Sequence, residues 1–326
     1  MWARTGDYGS AMGSGSVPVA PRKSDQIGEY ELELRAPRSA GDILVEWRAL
    51  MERAVEPNFF AGPDFLAAAT THLNALRELK VLLIWRGKTL EGAIPLASAP
   101  IGFASRDVHA PQLELGCSGA PLIDGKRTDA VLSAACSWLA ARHSTVVFEG
   151  LSDDSPFRAA LETFAERSGR RLMRTEQNRA HPVKAANAGS TTFPPGSVGD
   201  DESASLDRAL DPAEIRTAVE DYLILEAQDA LAAGRLALIQ EPGQANLIRT
   251  VTRQLGRSKQ CQIFTLRLGG RVAVLAIVLI ESCRARTWRI VCEPELRDYP
   301  VAALLQSRIS RLLTRRISID TVEGLD

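Results

Sequence analysis

Short apolar runs bounded by Gly, Pro and charged residues alternate with segments whose apolar residues recur every three to four positions, the signatures of strand and amphipathic helix. After an N-terminal stretch with scattered Gly, Ser and Pro, YELELRA (30–36) alternates and reads as a short edge strand. ILVEWRALMERA (43–54) has helical spacing, and Gly62-Pro63 marks a turn whose proline opens a second helix running to about Leu76. KVLLIWRGKTLEGAIPLAS (80–98) is two β-rich runs about a compact RGK turn, hence a hairpin. PQLELGCSG and PLIDG are strand or loop pieces, KRTDAVLSAACSWLAARH is helix, STVVFEGL strand, SPFRAALETFAERSG helix and RRLMRTE strand.

The second half repeats this order. Asp211, Pro212 and Glu214 form an N-cap, first-turn proline and capping-box acid at the head of a long helix, DPAEIRTAVEDYLILEAQDALAAG. RLALIQ is strand-like, PGQANLIRTVTRQLG helical, and CQIFTLRLGGRVAVLAIVLIE a second hairpin turning at Gly269-Gly270. RARTWRIVC makes a further strand, PVAALLQSRISRLLTR a helix and RRISID a last short strand. The pattern predicts an α/β fold with mixed, largely antiparallel sheets, divided into a flexible tail (1–28), a first domain (29–184), a linker (185–205) and a second domain (206–326).

In 326 residues, 45% apolar and 24% charged, the composition is that of a globular protein. Lys plus Arg (39) balances Asp plus Glu (40), so the net charge of -1 exerts no general pull toward nucleic acid or anionic lipid. The longest apolar run, 272–280, is shorter than the about 20 residues a membrane-spanning helix needs. Five cysteines without a C-x-x-C pair point to reduced, buried thiols and a cytoplasmic setting, and four dispersed histidines lack metal-site spacing. GCSG (116–119) lacks the nucleophile-elbow pattern, and Arg86-Gly87-Lys88 lacks the spacing of a phosphate loop.

The stretch 287–313, TWRIVCEPELRDYPVAALLQSRISRLL, reads as strand, charged turn and proline-opened helix, the geometry that holds phosphate when the turn presents backbone N–H groups. No glycine stands in that turn.

Several segments together carry a family likeness. EPNFFAGPDFLAAATTHL, VLLIWRGKTLEGAIPL and GAPLID in the first half, with DYLILEA, LRLGGRVAVLAIVL and TWRIVCEPEL in the second, resemble in order and spacing the CelD-type (BcsL) acetyltransferases of the GNAT superfamily. That family is associated with bacterial cellulose and exopolysaccharide biosynthesis. The resemblance covers roughly residues 42–320 and implies two tandem GNAT-like domains, with an acetyl-CoA or other acyl-CoA site in the second. It implies transfer of the acyl group to a sugar, a polysaccharide precursor or a small amine, with polysaccharide-synthesis proteins as possible partners.

For the chemistry, Glu293 is the candidate general base, Tyr299 the general acid or orienting hydroxyl, and Glu226 a third catalytic candidate drawn from the likeness. Arg289, Arg297, Val301, Ala302 and Ala303 are the candidate cofactor-binding residues. The plainer reading stands beside it: Glu293 and Glu295 as solvated turn acids, Tyr299 packed on the sheet.

The sequence also departs from the family pattern. Tyr-Ser-Pro-Gly is replaced by Tyr299-Pro300-Val301-Ala302, so Pro300 brings no N–H, a methyl at 302 crowds a diphosphate, and Asp298 adds negative charge unless Arg297 or Arg289 offsets it. The family's Trp, Lys and Gly after Glu226 are Ala230, Leu231 and Ala232, and its tyrosine after the strand is Cys292. These departures support an alternative: a catalytically inactive GNAT-like scaffold or partner-binding protein of a polysaccharide-assembly system.

Overall fold

The computed structural model of the chain describes residues 24–98, 107–113, 115–116, 118–175, 204–281, 284–316 and 321–323. Strands β1 (Ser24–Ile27), β2 (Tyr30–Arg35), β3 (Lys80–Arg86) and β4 (Thr89–Ser98) form an antiparallel meander. β5 (Val108–Ala110) and β6 (Leu122–Ile123) both pair with β4, and β7 (Val146–Phe148) runs parallel to β5. A second sheet has the order β12-β11-β10-β9-β8. Its members are β8 (Ala204–Ala209), β9 (Cys261–Leu268), β10 (Arg271–Glu281), β11 (Arg284–Cys292) and β12 (Thr321–Glu323), antiparallel except for the β11–β12 pair.

Helices cover both faces of each sheet, which is why runs such as VLLI and VAVLAIVLI are apolar at consecutive positions. On the first sheet, Leu82, Ile84 and Ile94 pack against α3 (Thr128–Ala140) and α4 (Pro156–Ser168). Val81, Leu83 and Ala93, which point the other way, meet α1 (Leu44–Arg53) and α2 (Pro63–His72). On the second sheet, Ile263, Leu275, Ile277 and Leu279 pack under α5 (Pro212–Ala232) and α6 (Pro242–Arg257), while Phe264, Leu266, Val274, Ala276 and Val278 face α7 (Val301–Arg316).

The two units share their middle layer. One apolar cluster runs from Trp47, Phe60 and Phe65 to Val251, Ile277 and Trp288, and α2 lies on α6 so closely that a Cβ on Gly243 would stand 2.5 Å from the His72 carbonyl oxygen. His72 Nε2 meets Thr250 Oγ1 at 2.8 Å across the same contact, and burial lowers the His72 pKa. The units are therefore joined through a core as well as through the chain between them.

Several boundaries differ from the sequence reading. Residues 24–27 belong to β1 rather than to a tail, so β2 is an interior strand and not an edge. The proposed linker falls outside the described residues except for Ala204 and Ser205, which open β8. RLALIQ is no strand: it ends in a 3-10 turn, Leu238–Gln240, held by the Gln240 side chain on the Ala237 N–H at 2.9 Å. Residues 170–175 carry no strand either, and Arg315 and Arg316 complete α7, with the last strand at Thr321–Glu323. α2 stops at His72 and only a 3-10 turn, Asn74–Leu76, follows it.

In the first unit, the end of the parallel pair β5–β7 is zipped shut by the loop that follows β5. Glu149 N–H donates to Ala110 O at 3.0 Å, Gly119 N–H to Gly150 O at 3.2 Å, and His109 Nδ1 lies 2.9 Å from Glu149 Oε1. A Cβ on Gly119 would stand 1.9 Å from the Glu149 carbonyl oxygen. Gly119→Ala is accordingly expected to cost about 3 kcal/mol, the upper part of the overpacking range, read as a fall in the urea midpoint.

Candidate functional site

The corresponding place in the second unit is built differently. β11 delivers the chain to Glu293, whose N–H donates to Ala273 O at 2.9 Å, and a 3-10 turn, Pro294–Leu296, leads toward α7. Tyr299 N–H bonds Leu296 O at 3.0 Å, Val301 N–H bonds Tyr299 O at 2.8 Å, and Leu304 N–H to Pro300 O at 3.0 Å is the first bond of the helix. Between them, the N–H groups of Ala302 and Ala303 have no acceptor among the described residues. Two open donors at the positive end of a 16-residue helix are the arrangement that binds an anion. The donors are backbone groups, so neither the missing glycine nor Pro300, which precedes them, removes them.

Each residue singled out from the sequence has a definite place. Glu293 is half-buried, and its carboxylate has no hydrogen bond or ion pair among the described residues. The Tyr299 ring packs against the α7-side core. Val301 is fully buried and its N–H is engaged by Tyr299, so it offers no open donor, whereas Ala302 and Ala303 do.

Arg297 does not offset Asp298. Its Nη2 holds Asp229 Oδ1 at 2.5 Å and Asp229 O at 2.9 Å, tying the turn to α5. Asp229 in turn takes Arg235 Nη2 at 2.7 Å.

Glu226 is buried, and both its oxygens are occupied: one accepts from Arg235 and the other from Leu238 N–H at 2.8 Å. It anchors the 3-10 turn after α5, and both its oxygens are engaged within the chain. Glu226→Leu is expected to cost about 1–3 kcal/mol by orphaning the Leu238 N–H, visible in thermal unfolding. The Cys292 thiol, pushed up to about 11 chiefly by burial and next by Asp229, is a packing group and not a nucleophile at neutral pH.

A β-bulge marks the middle of β11. Ile277 pairs with Arg289 and Val278 with Thr287, so Trp288 is an extra residue between them. Residues paired across an antiparallel ladder share a face. Thr287 therefore points with Val278 toward α7, and Arg289 with Ile277 toward α5 and α6. Both carry a buried polar atom without a partner, Thr287 Oγ1 and Arg289 Nε. Among the described residues β12 accompanies β11 only along 284–286, leaving 287–292 unpaired on that side.

Residues 198–320 match a protein-family model described as an acetyltransferase (GNAT) domain. That segment resembles a GNAT domain. It contains the second sheet from β8 to β11, with α5 to α7 and the turn between β11 and α7.

Among solved structures, FemX is matched at a TM-score of 0.51 and 8% identity over 86% of this chain and 85% of that one. A tandem GNAT protein from the clavulanic acid biosynthesis pathway matches at 0.42 and 16% identity over 91% of this chain and 90% of its own. The PaiA N-acetyltransferase of Thermoplasma acidophilum in complex with coenzyme A matches at 0.26 and 12% identity over 35% of this chain and 75% of that one. No curated protein is matched by the sequence. The FemX likeness speaks for the fold alone, an α/β fold with mixed sheets.

Among the described residues no group of three or more His, Cys, Asp or Glu is placed to hold a metal ion, and no helix is long and apolar enough to cross a membrane.

Tyr222, Asp229, Thr287 and Trp288 were not singled out from the sequence. A bulge shifts the facing of every later residue in a strand, and the apolar alternation of RARTWRIVC gives no sign of it.

Proposed function

We propose that the chain transfers an acyl group from acyl-CoA to an amine or hydroxyl acceptor at the β11–α7 turn. The open N–H pair of Ala302 and Ala303, inside the segment that resembles a GNAT domain, is the observation that carries this reading. Those two donors suit the diphosphate of the donor substrate, and the Thr287 hydroxyl, orphaned on the same α7 face, suits a polar group of its pantetheine arm.

The thioester supplies the activated acyl carbon. Glu293, held by its backbone bond to Ala273 and otherwise unengaged, takes the proton that the acceptor loses as its nitrogen or oxygen bonds to that carbon. The carbon–sulfur bond breaks, and Tyr299 delivers a proton to the departing sulfur. A sugar or polysaccharide precursor is the acceptor class that the resemblance to the CelD-type enzymes favours, and a small amine is the other.

One observation favours a second reading, a catalytically inactive GNAT-like scaffold. With Arg297 drawn to Asp229, the turn keeps Glu293, Glu295 and Asp298 without a paired cation among the described residues, which opposes a diphosphate. The test is release of free CoA thiol from acetyl-CoA by the full chain across a panel of amino sugars, sugars and primary amines. Acceptor-dependent release supports transfer; no saturable CoA binding and no release for any acceptor favours the scaffold.

A further inference from the structure

The bulge at Trp288 places a cation where the fold gives it nothing to pair with. Arg289 turns toward α5, its Nε is buried, and no hydrogen bond or ion pair to its guanidinium exists among the described residues. An arginine cannot relieve burial by losing its proton, so its buried Nε–H without an acceptor is a standing cost of the folded chain.

Two acids of α5 that act on the same neighbourhood as Arg289 are already committed. Glu226 is held by Arg235 and the Leu238 N–H, and Asp229 by Arg235 and Arg297. Around this part of β11, the three arginines Arg235, Arg297 and Arg289 stand against the two carboxylates Glu226 and Asp229.

Tyr222 supplies the second half of the site. It is fully buried on α5, its hydroxyl makes no hydrogen bond among the described residues, and Arg289 is the charge that acts on it most strongly. Burial pushes the phenol up to about 12, so the hydroxyl remains a donor across the physiological range. A guanidinium fork and a phenolic O–H, both unpartnered on one face, match the oxygens of a carboxylate or phosphate.

The facing of the strand decides which substrate this group belongs to. Thr287 looks toward α7, where the open N–H pair lies, whereas Arg289, beyond the extra residue, looks the opposite way. Donor and acceptor would then approach the bulge from its two sides. We propose that Arg289, with the Tyr222 hydroxyl, holds an oxyanion group of the acceptor, a carboxylate or a phosphate, so that the acceptor is an anionic amine, amino acid or sugar. This rests on the acyl-transfer reading, and it moves Arg289 from the cofactor to the acceptor.

The test is a titration of the full chain labelled with nitrogen-15 arginine, following the Arg289 Nε–H resonance, which Arg289→Lys identifies by its loss. Sodium acetate, inorganic phosphate and sodium chloride are added separately at equal ionic strength, with and without saturating CoA. A saturable shift with acetate or with phosphate, absent with chloride, kept in the presence of CoA and weakened about tenfold in Tyr222→Phe, is expected. The oxyanion that produces it names the acceptor group. An equal, non-saturating drift in all three salts overturns the site, and a shift that CoA abolishes returns Arg289 to the donor. A saturable oxyanion shift in a chain that calorimetry shows not to bind acetyl-CoA overturns the acyl-transfer reading and leaves the oxyanion site standing.

Discussion

Trp288→Ala is expected to destabilise the whole chain by about 3–5 kcal/mol, the range for deleting a large buried aromatic. Trp288 is fully buried, its ring meets Phe65 edge-on at 6.2 Å, and its indole N–H donates to Leu115 O at 2.6 Å. Phe65 and Leu115 belong to the first unit and Trp288 to the second, so the substitution removes packing and a hydrogen bond at the junction itself. Leu115 has a φ of +64°, a conformation that costs a bulky residue about 1–3 kcal/mol and persists only while its surroundings enforce it. Losing the indole leaves the Leu115 carbonyl without that partner. Equilibrium urea unfolding should show one transition at a lower midpoint; an unchanged midpoint would contradict a shared core through this residue.

Glu293→Gln is expected to lower kcat by about 10²–10⁴-fold, the usual contribution of a positioned general base, with acetyl-CoA affinity unchanged. The carboxylate has no partner among the described residues and its backbone is fixed to Ala273, so the substitution removes proton affinity without removing a described ion pair. That separates it from Glu226→Leu, which should lower stability. Steady-state release of CoA thiol beside calorimetric affinity and thermal unfolding distinguishes the two. Turnover within twofold of the parent would show that Glu293 is a solvated turn acid.

Much of the fold was legible because local chemistry and tertiary packing agree. The Asp211 capping box, the proline-opened helices and the hairpin at Gly269-Gly270, with φ of +54° and +81°, all lie where the residues place them. The strands that were missed had weak local signals. β8 (ASLDRA) directly follows a Gly-, Pro- and acid-rich stretch, and β5 spans only three residues.

RLALIQ alternates like a strand, yet Glu226 captures the Leu238 N–H and Gln240 the Ala237 N–H, so its backbone donors are taken before a sheet can use them. The β11–α7 turn was legible from strand–turn–helix order. The commitment of Arg297 to Asp229, the facing of Arg289 and the Trp288–Leu115 bond were not. They join residues distant in sequence and depend on one inserted strand position.

The stoichiometry of acetyl-CoA binding tests the central claim most directly. The β5–β7 end of the first unit is closed by its own loop, whereas the second unit presents the open N–H groups of Ala302 and Ala303. Calorimetric titration of the full chain should therefore give saturable binding of one acetyl-CoA per chain. No saturable binding up to millimolar acetyl-CoA, or two molecules per chain, would contradict the account.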